Sequence, residues 1–371
     1  MTALLVLAVV GSFVFASGCS LVFPSDPTLS EGSQLDITDH ASSLPSTRAG
    51  YARMVTFNTP AAVQIVDPGT GPDDPPRLLR TIRFPEHLVN EQQIDSDGFL
   101  WVTTPDGYGG PLRVTYVVDP HAGRVHRAIE LPNELRAAAG LSVGARDVYL
   151  RSWRDGFSGG IGVVSRTCAS NPDACSVRLL VELGNVGGTP DGQSLHLDDE
   201  SLYSFSRGNS RDQRQSTARL VAATGMEIAS YPLSGTSTSD DDHFYVIVLR
   251  EPGRFELVRL DKLTLQEEDR VDVPDDPFQV AYDQGRVYVS DGRLSTVTVY
   301  DAGTLDFVTR IDVSAAGAKE AAFGFLAPSV LQLNHHAWLN TQTRTVVPNA
   351  FPLQESFSKS VRFPQGHPLA H

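Results

Sequence analysis

Lysine is nearly missing from this chain: of 30 basic residues only Lys262, Lys319 and Lys359 are not arginine, a bias of the kind a GC-rich genome imposes. Basic charge as a whole is short, with 44 acidic residues against those 30, a net charge of -14 and a pI near 5.1. Coating of nucleic acid needs a dense basic surface for phosphate, so that class is excluded. Long apolar runs are missing too. The uncharged stretch 4–17 has 14 residues, too short to cross a hydrocarbon core comfortably, and a polytopic membrane protein is excluded. Compact motifs for nucleophile elbows, Walker loops, dinucleotide fingerprints, helical histidine pairs and calcium loops do not occur in a fitting context. Hydrophobic residues are not scarce: at 41% of 371 residues they can bury a sizeable core, which excludes a disordered polymer or a collagen.

The stretch 4–17 (LLVLAVVGSFVFAS) has the length of a signal-peptide core and ends in small residues before Gly18-Cys19-Ser20. Ala16-Ser17-Gly18-Cys19 resembles the lipobox of bacterial lipoproteins, with Ala16 where that pattern usually carries Leu and no basic residue in Met1-Thr2-Ala3. The resemblance implies cleavage after residue 18, a lipid on Cys19 and a membrane anchor, with each buried methylene of the acyl chains contributing about 0.8 kcal/mol. Ser20 would then fit outer-membrane sorting in a Gram-negative host. An ordinary secretory signal and a short membrane anchor stay open beside it. Residues 19–50, rich in Ser, Pro, Asp and Thr, read as a tether, and 352–371 as an irregular tail.

The other two cysteines, Cys168 and Cys175, bracket Asn171-Pro172-Asp173, a turn-forming sequence that can bring the thiols together. Export favours a disulfide there. Two thiols with no His or Cys nearby fall short of the four ligands zinc takes, and free thiols remain the other reading.

Between 51 and 351 a unit of about forty residues recurs, with short alternating strands and turn residues at each break. Asp67, Asp119, Ala222, Asp261, Asp301 and Asn340 precede one such turn, the last four spaced by 39, 40 and 39 residues. The segment 168–175 fills the slot between the second and third. A second series lies on the preceding strand: Trp101, Tyr149, Tyr203, Tyr245 and Tyr288, the five aromatics expected in the core, with Leu331 last and Val55 first. The two series predict an all-β fold, a β-propeller of seven blades of four antiparallel strands, because one blade cannot bury both faces and must stack until the ring closes. Residues 282–289 (YDQGRVYV) and 299–305 (VYDAGTL) resemble the YVTN-type propeller repeats of bacterial surface and periplasmic proteins. That resemblance implies a fold and carries no catalytic residue.

Chemistry is sparse. His335-His336 falls at an expected hairpin turn, Asp240-Asp241-Asp242 lacks the oxygen spacing of a calcium loop, and His196 and His243 have no partner visible in the sequence. No catalytic residue, metal or cofactor is expected. The loops between second and third strands gather on one face of a propeller. Here 103–111, 151–160, 204–216, 249–254 and 290–295 carry -1, +1, +2, +1 and 0, net positive on an acidic body. Tyr108, Trp153, Arg154, Arg207, Arg211, Arg214, Arg250, Arg254 and Arg293 on these loops form a candidate face for an anionic protein or glycan of the envelope, since the planar arginine fork suits carboxylates and phosphates. The expected role is a lipid-anchored, extracytoplasmic binding or scaffold module of the bacterial cell envelope. An envelope hydrolase or lyase of lactonase type, with its site at the central channel, is the alternative.

Overall fold

A computed structural model describes residues 34–39, 51–55, 62–67, 77–84, 91–103, 114–132, 135, 138–152, 158–185, 193–198, 200–206, 216–273, 277–291, 295–317, 321–334, 337–348 and 360–362. They form seven antiparallel sheets arranged as the blades of a propeller. In chain order the strands are β1 (Asp36–Asp39), β2 (Tyr51–Val55), β3 (Ala62–Asp67), β4 (Arg77–Arg83), β5 (Glu91–Ile94), β6 (Leu100–Thr103), β7 (Val114–Asp119), β8 (Arg124–Glu130), β9 (Ala138–Val143) and β10 (Asp147–Ser152). There follow β11 (Ser158–Ser165), β12 (Arg178–Asn185), β13 (Gln193–Asp198), β14 (Ser201–Ser206), β15 (Ser216–Val221), β16 (Glu227–Tyr231), β17 (Thr236–Ser239), β18 (His243–Glu251), β19 (Arg254–Asp261) and β20 (Glu267–Val273). The last are β21 (Pro277–Asp283), β22 (Arg286–Asp291), β23 (Thr296–Asp301), β24 (Phe307–Asp312), β25 (Ala321–Ala327), β26 (Val330–Asn334), β27 (Ala337–Asn340), β28 (Thr345–Pro348) and β29 (Ser360–Arg362).

Blades two to seven are successive groups of four strands from β5 to β28. Blade one is built from both ends of the chain, in the order β29-β2-β3-β4-β1. β29 is its innermost strand, pairing Tyr51 with Arg362, and it lies against the inner strands β25 and β5, which closes the ring. The fold therefore takes in residues on both sides of the 51–351 span read from the sequence: Asp36–Asp39 within the expected tether and Ser360–Arg362 within the expected tail. Both are short and polar, and only long-range pairing makes them strands.

The middle strands β6, β7, β10, β22 and β23 are buried on both faces along their length because each side packs on a different neighbour. On β22, Val287 and Val289 join Tyr245 and Ile247 of blade five. Tyr288 turns the other way, to Leu331 and Phe325 of blade seven. Each such side chain contributes about 1.5–3 kcal/mol when fully buried. All five aromatics expected in the core are buried there.

Among the described residues, the turns after the third strands of blades two, four, five, six and seven follow one backbone design. Asp261 Oδ1 accepts from the backbone N–H of Thr264 at 2.7 Å, Asp301 Oδ1 from Gly303 at 2.9 Å, and Asn340 Oδ1 from Thr343 at 2.9 Å. The residue four positions on from the strand end is left-handed: Gly123 (φ 65) after Asp119, Gly225 (φ 71) after Val221 rather than after the Ala222 read from the spacing, Leu265 (φ 54) after Asp261, Leu305 (φ 53) after Asp301 and Arg344 (φ 59) after Asn340. In the first four, its N–H closes the turn on the strand-end carbonyl. In blade three the slot is filled by the disulfide Cys168–Cys175, with sulfurs 1.99 Å apart.

Candidate functional site

Two residues of the sequence-derived face lie among the described residues, and both are paired with carboxylates of blade five. Arg250 and Arg254 flank the turn joining β18 to β19. Arg250 Nε meets Glu256 Oε2 at 2.7 Å, its Nη2 lies 2.9 Å from the Tyr231 hydroxyl, and it also pairs with Glu267. Arg254 reaches Glu256 Oε1 at 3.2 Å and Asp272 Oδ1 at 3.0 Å. Glu256 is buried, so two guanidiniums answer one carboxylate that would be costly without them. Burial pushes the Glu267 carboxyl up, but the hydrogen bonds from Tyr231 and Arg250 outweigh it and hold it below its usual range. Tyr231 is pushed up in turn, chiefly by burial and by donating to Glu267. This is a network that fixes blade five against blade four. Tyr108, Trp153, Arg154, Arg207, Arg211, Arg214 and Arg293 lie outside the described residues, as do Cys19 and His335-His336.

Beside that face, Arg151 near the end of β10 is fully buried and donates to the Phe205 carbonyl of blade four. Burial pulls its pKa down to about 9.

The histidines do have partners once the chain is folded. His243 Nδ1 lies 3.3 Å from Asp240 Oδ1 and its Nε2 lies 3.2 Å from Glu268 Oε2. With a carboxylate on each nitrogen, the ring has no free edge to offer a substrate as acid or base. Asp240 also accepts from the Tyr245 hydroxyl at 2.6 Å and from the backbone of Asp242 at 2.8 Å, so it serves as a turn cap. Asp241 and Asp242 are exposed, as expected for a solvated connection. His196 stacks edge-on against Phe244, 5.5 Å between centroids, and burial lowers its pKa, with Lys262 adding to the effect.

Inner strands are stitched by side chains. Gln93 of β5 donates to the Leu141 carbonyl at 2.9 Å and accepts from Val143 N at 2.8 Å, both on β9. Gln279 Oε1 accepts from Phe323 N at 3.1 Å across blades six and seven. A shallow cavity of about 430 Å³ lies at the seam of blades two and three, lined by Asp97, Arg146, Asp147, Ser165, Arg166 and Thr167 next to the disulfide. Its Arg166 is paired with Asp97 at 3.4 Å. Among the described residues no group of three His, Cys, Asp or Glu side chains is placed to hold a metal, and no helix is long and apolar enough to cross a membrane.

No protein family model matches the chain, and no curated protein matches it in sequence. Solved structures do match. The fold is similar to that of a putative 6-phosphogluconolactonase from Bacteroides fragilis, with a TM-score of 0.58, 12% identity, and coverage of 84% of this chain and 98% of that one. It is also similar to the computationally designed Ika8 protein, with a TM-score of 0.54, 16% identity, and coverage of 89% and 91%. At such identities the likeness is one of fold, the propeller already read from the strand pairing.

Proposed function

We propose that the chain is a lipid-anchored, extracytoplasmic β-propeller that serves as a protein- or ligand-binding module of the bacterial cell envelope. The observation that carries this reading is the division of its three cysteines: two are joined as Cys168–Cys175, and the third, Cys19, follows an apolar run and small residues. A disulfide belongs to an oxidising compartment, and a lipobox-like segment supplies the route to it. The propeller supports a binding role because closed rings of blades present their loops as one broad surface.

With Arg250 and Arg254 tied to carboxylates of their own blade, capture of an anionic envelope protein or glycan falls to the rest of the face, Tyr108, Trp153, Arg154 and Arg293 with the trio Arg207, Arg211 and Arg214. Replacing those three with Ser abolishes copurification of the partner if this is right; undiminished capture removes the anionic-partner reading. The anchor is tested by the intact mass of membrane-extracted protein: a diacyl or triacyl increment that disappears in Cys19→Ser supports it, and an unlipidated chain refutes it.

The second reading, a lactone hydrolase with its site at the channel, is favoured by the likeness to the putative 6-phosphogluconolactonase. Turnover of lactone substrates by the purified protein would place it ahead of the binding module.

A further inference from the structure

The described residues leave six large hydrophobic side chains exposed, and five of them share one end of the propeller. Leu263 (65% exposed) lies in the turn joining β19 to β20, Met226 (60%) just after the turn joining β15 to β16, and Phe307 (62%) opens β24. Ile228 and Val308 are the second residues of β16 and β24. The sixth, Leu249, is at the opposite end of blade five. Blades four, five and six therefore present an apolar row along their third-to-fourth-strand turns.

The N-terminal segment leaves from the same level. Gln34 bridges to Arg124, the first residue of β8, directly after the equivalent turn of blade two. Arg124 follows Asp119 by five positions, as Met226 follows Val221, and each is preceded by the left-handed glycine of the turn, Gly123 or Gly225. Blades of a ring are related by rotation about its axis, so Gln34, Met226, Leu263 and Phe307 lie at matching heights on it. Residues 20–33 can span at most about 50 Å at roughly 3.4 Å each. A lipid on Cys19 would thus tether the propeller to the bilayer from this end.

We infer that the third-to-fourth-strand turns of blades four to six rest on the phospholipid surface, with Met226, Leu263 and Phe307 in the headgroup region; this rests on the anchored reading above. The exposed neighbours Glu227 and Asp306 repel anionic headgroups, so the contact suits neutral phospholipid. A contact too weak to recruit free protein suffices, because the anchor holds the row at an effective concentration on the order of millimolar. The opposite end, with the loops between second and third strands, is left facing outward for partners.

The test uses the full lipidated chain in phosphatidylcholine vesicles, with an environment-sensitive label at Leu263→Cys or, as control, at Pro252→Cys in the exposed turn at the other end. Quenching by a lipid-phase quencher should be severalfold stronger at 263, and Met226→Asp with Phe307→Asp should abolish the difference without removing the lipid. Equal quenching at both positions, or none at 263, in protein whose mass carries the lipid overturns the orientation and leaves the anchor standing. A chain with no lipid increment overturns both.

Discussion

Arg259, on the third strand of blade five, donates to the main-chain carbonyl of Ala302 in the turn of blade six at 3.3 Å, and to Gly303 beside it. Arg219 of blade four does the same to Leu263 of blade five, and Arg80 of blade one to Pro120 and His121 of blade two. In each case an arginine of one blade satisfies turn carbonyls of the next. Glu268 steadies Arg259 from its own blade at 3.1 Å. Each clasp holds one seam.

Arg259→Ala and Arg219→Ala should therefore each cost about 2 kcal/mol, since each strips carbonyl acceptors of a charged donor. The clasps lie at different seams, so the double variant should add to within about 0.5 kcal/mol. Urea unfolding midpoints of the single and double variants check this, and a strongly non-additive pair would show that blade five transmits strain between its two seams.

Acid response has two signs. Burial pushes Asp240 up, but hydrogen bonds from Tyr245 and from the backbone of His243 and Asp242 win, and its folded pKa lies below the ordinary value. Its stabilisation is present above the unfolded carboxyl pKa and is lost as pH falls through the folded one. Asp283 is the reverse: burial raises it against the single N–H from Ser329. Its folded state holds the proton longer, so its own contribution to stability is greatest in acid and falls as pH rises through that raised pKa. Asp283→Asn, which keeps an acceptor for Ser329, should raise the melting temperature at pH 7 and leave it unchanged at pH 3. Asp240→Asn should lower it at pH 7, with the loss fading in acid.

The ring was legible in the sequence where one residue does a local job. Asp261, Asp301 and Asn340 recur at nearly fixed spacing because each caps the same turn through its own side chain. Tyr245 and Tyr288 recur because every second strand needs bulk at a seam. Pairings set by strand twist and distance were not legible. Glu268 is remote in sequence from His243, and a three-residue strand such as Ser360–Arg362 has no period of its own. A tally of loop charges likewise cannot show that Arg250 and Arg254 are spoken for by Glu256, Glu267 and Asp272.

The disulfide closes a small loop, seven residues in separation, at the seam where Cys168 packs with Trp101 and Leu135. Loop-closure entropy at this size gives about 2.5 kcal/mol. Cys168→Ala with Cys175→Ala should lower stability by about that amount, and wild type in excess reductant should match the variant in a thermal melt. A variant as stable as the oxidised protein would mean that packing around residue 168 alone holds this turn.

The strand β1 joins the N-terminal side of the chain to the ring. β1 pairs with β4 from Asp36–Arg83 to Asp39–Arg80. Leu35 is buried among Val63, Tyr116 and Val125. Asp39 grips Arg80 through both oxygens, at 2.6 and 3.1 Å. Ile37 lies over Gly123, where a Cβ would come within 1.8 Å of the isoleucine Cδ1, and the glycine is left-handed at φ 65. Gly123→Ala therefore meets a clash and a backbone penalty of about 1 kcal/mol together. The clash pushes the Ile37 side chain, and β1 with it, away from the four pairs that β1 makes with β4. Hydrogen exchange should accelerate at residues 36–39 in this variant while β22 and β23 of blade six stay protected. Ile37→Ala placed in the same chain removes the clash and should restore part of the protection, which separates the steric cause from the backbone one.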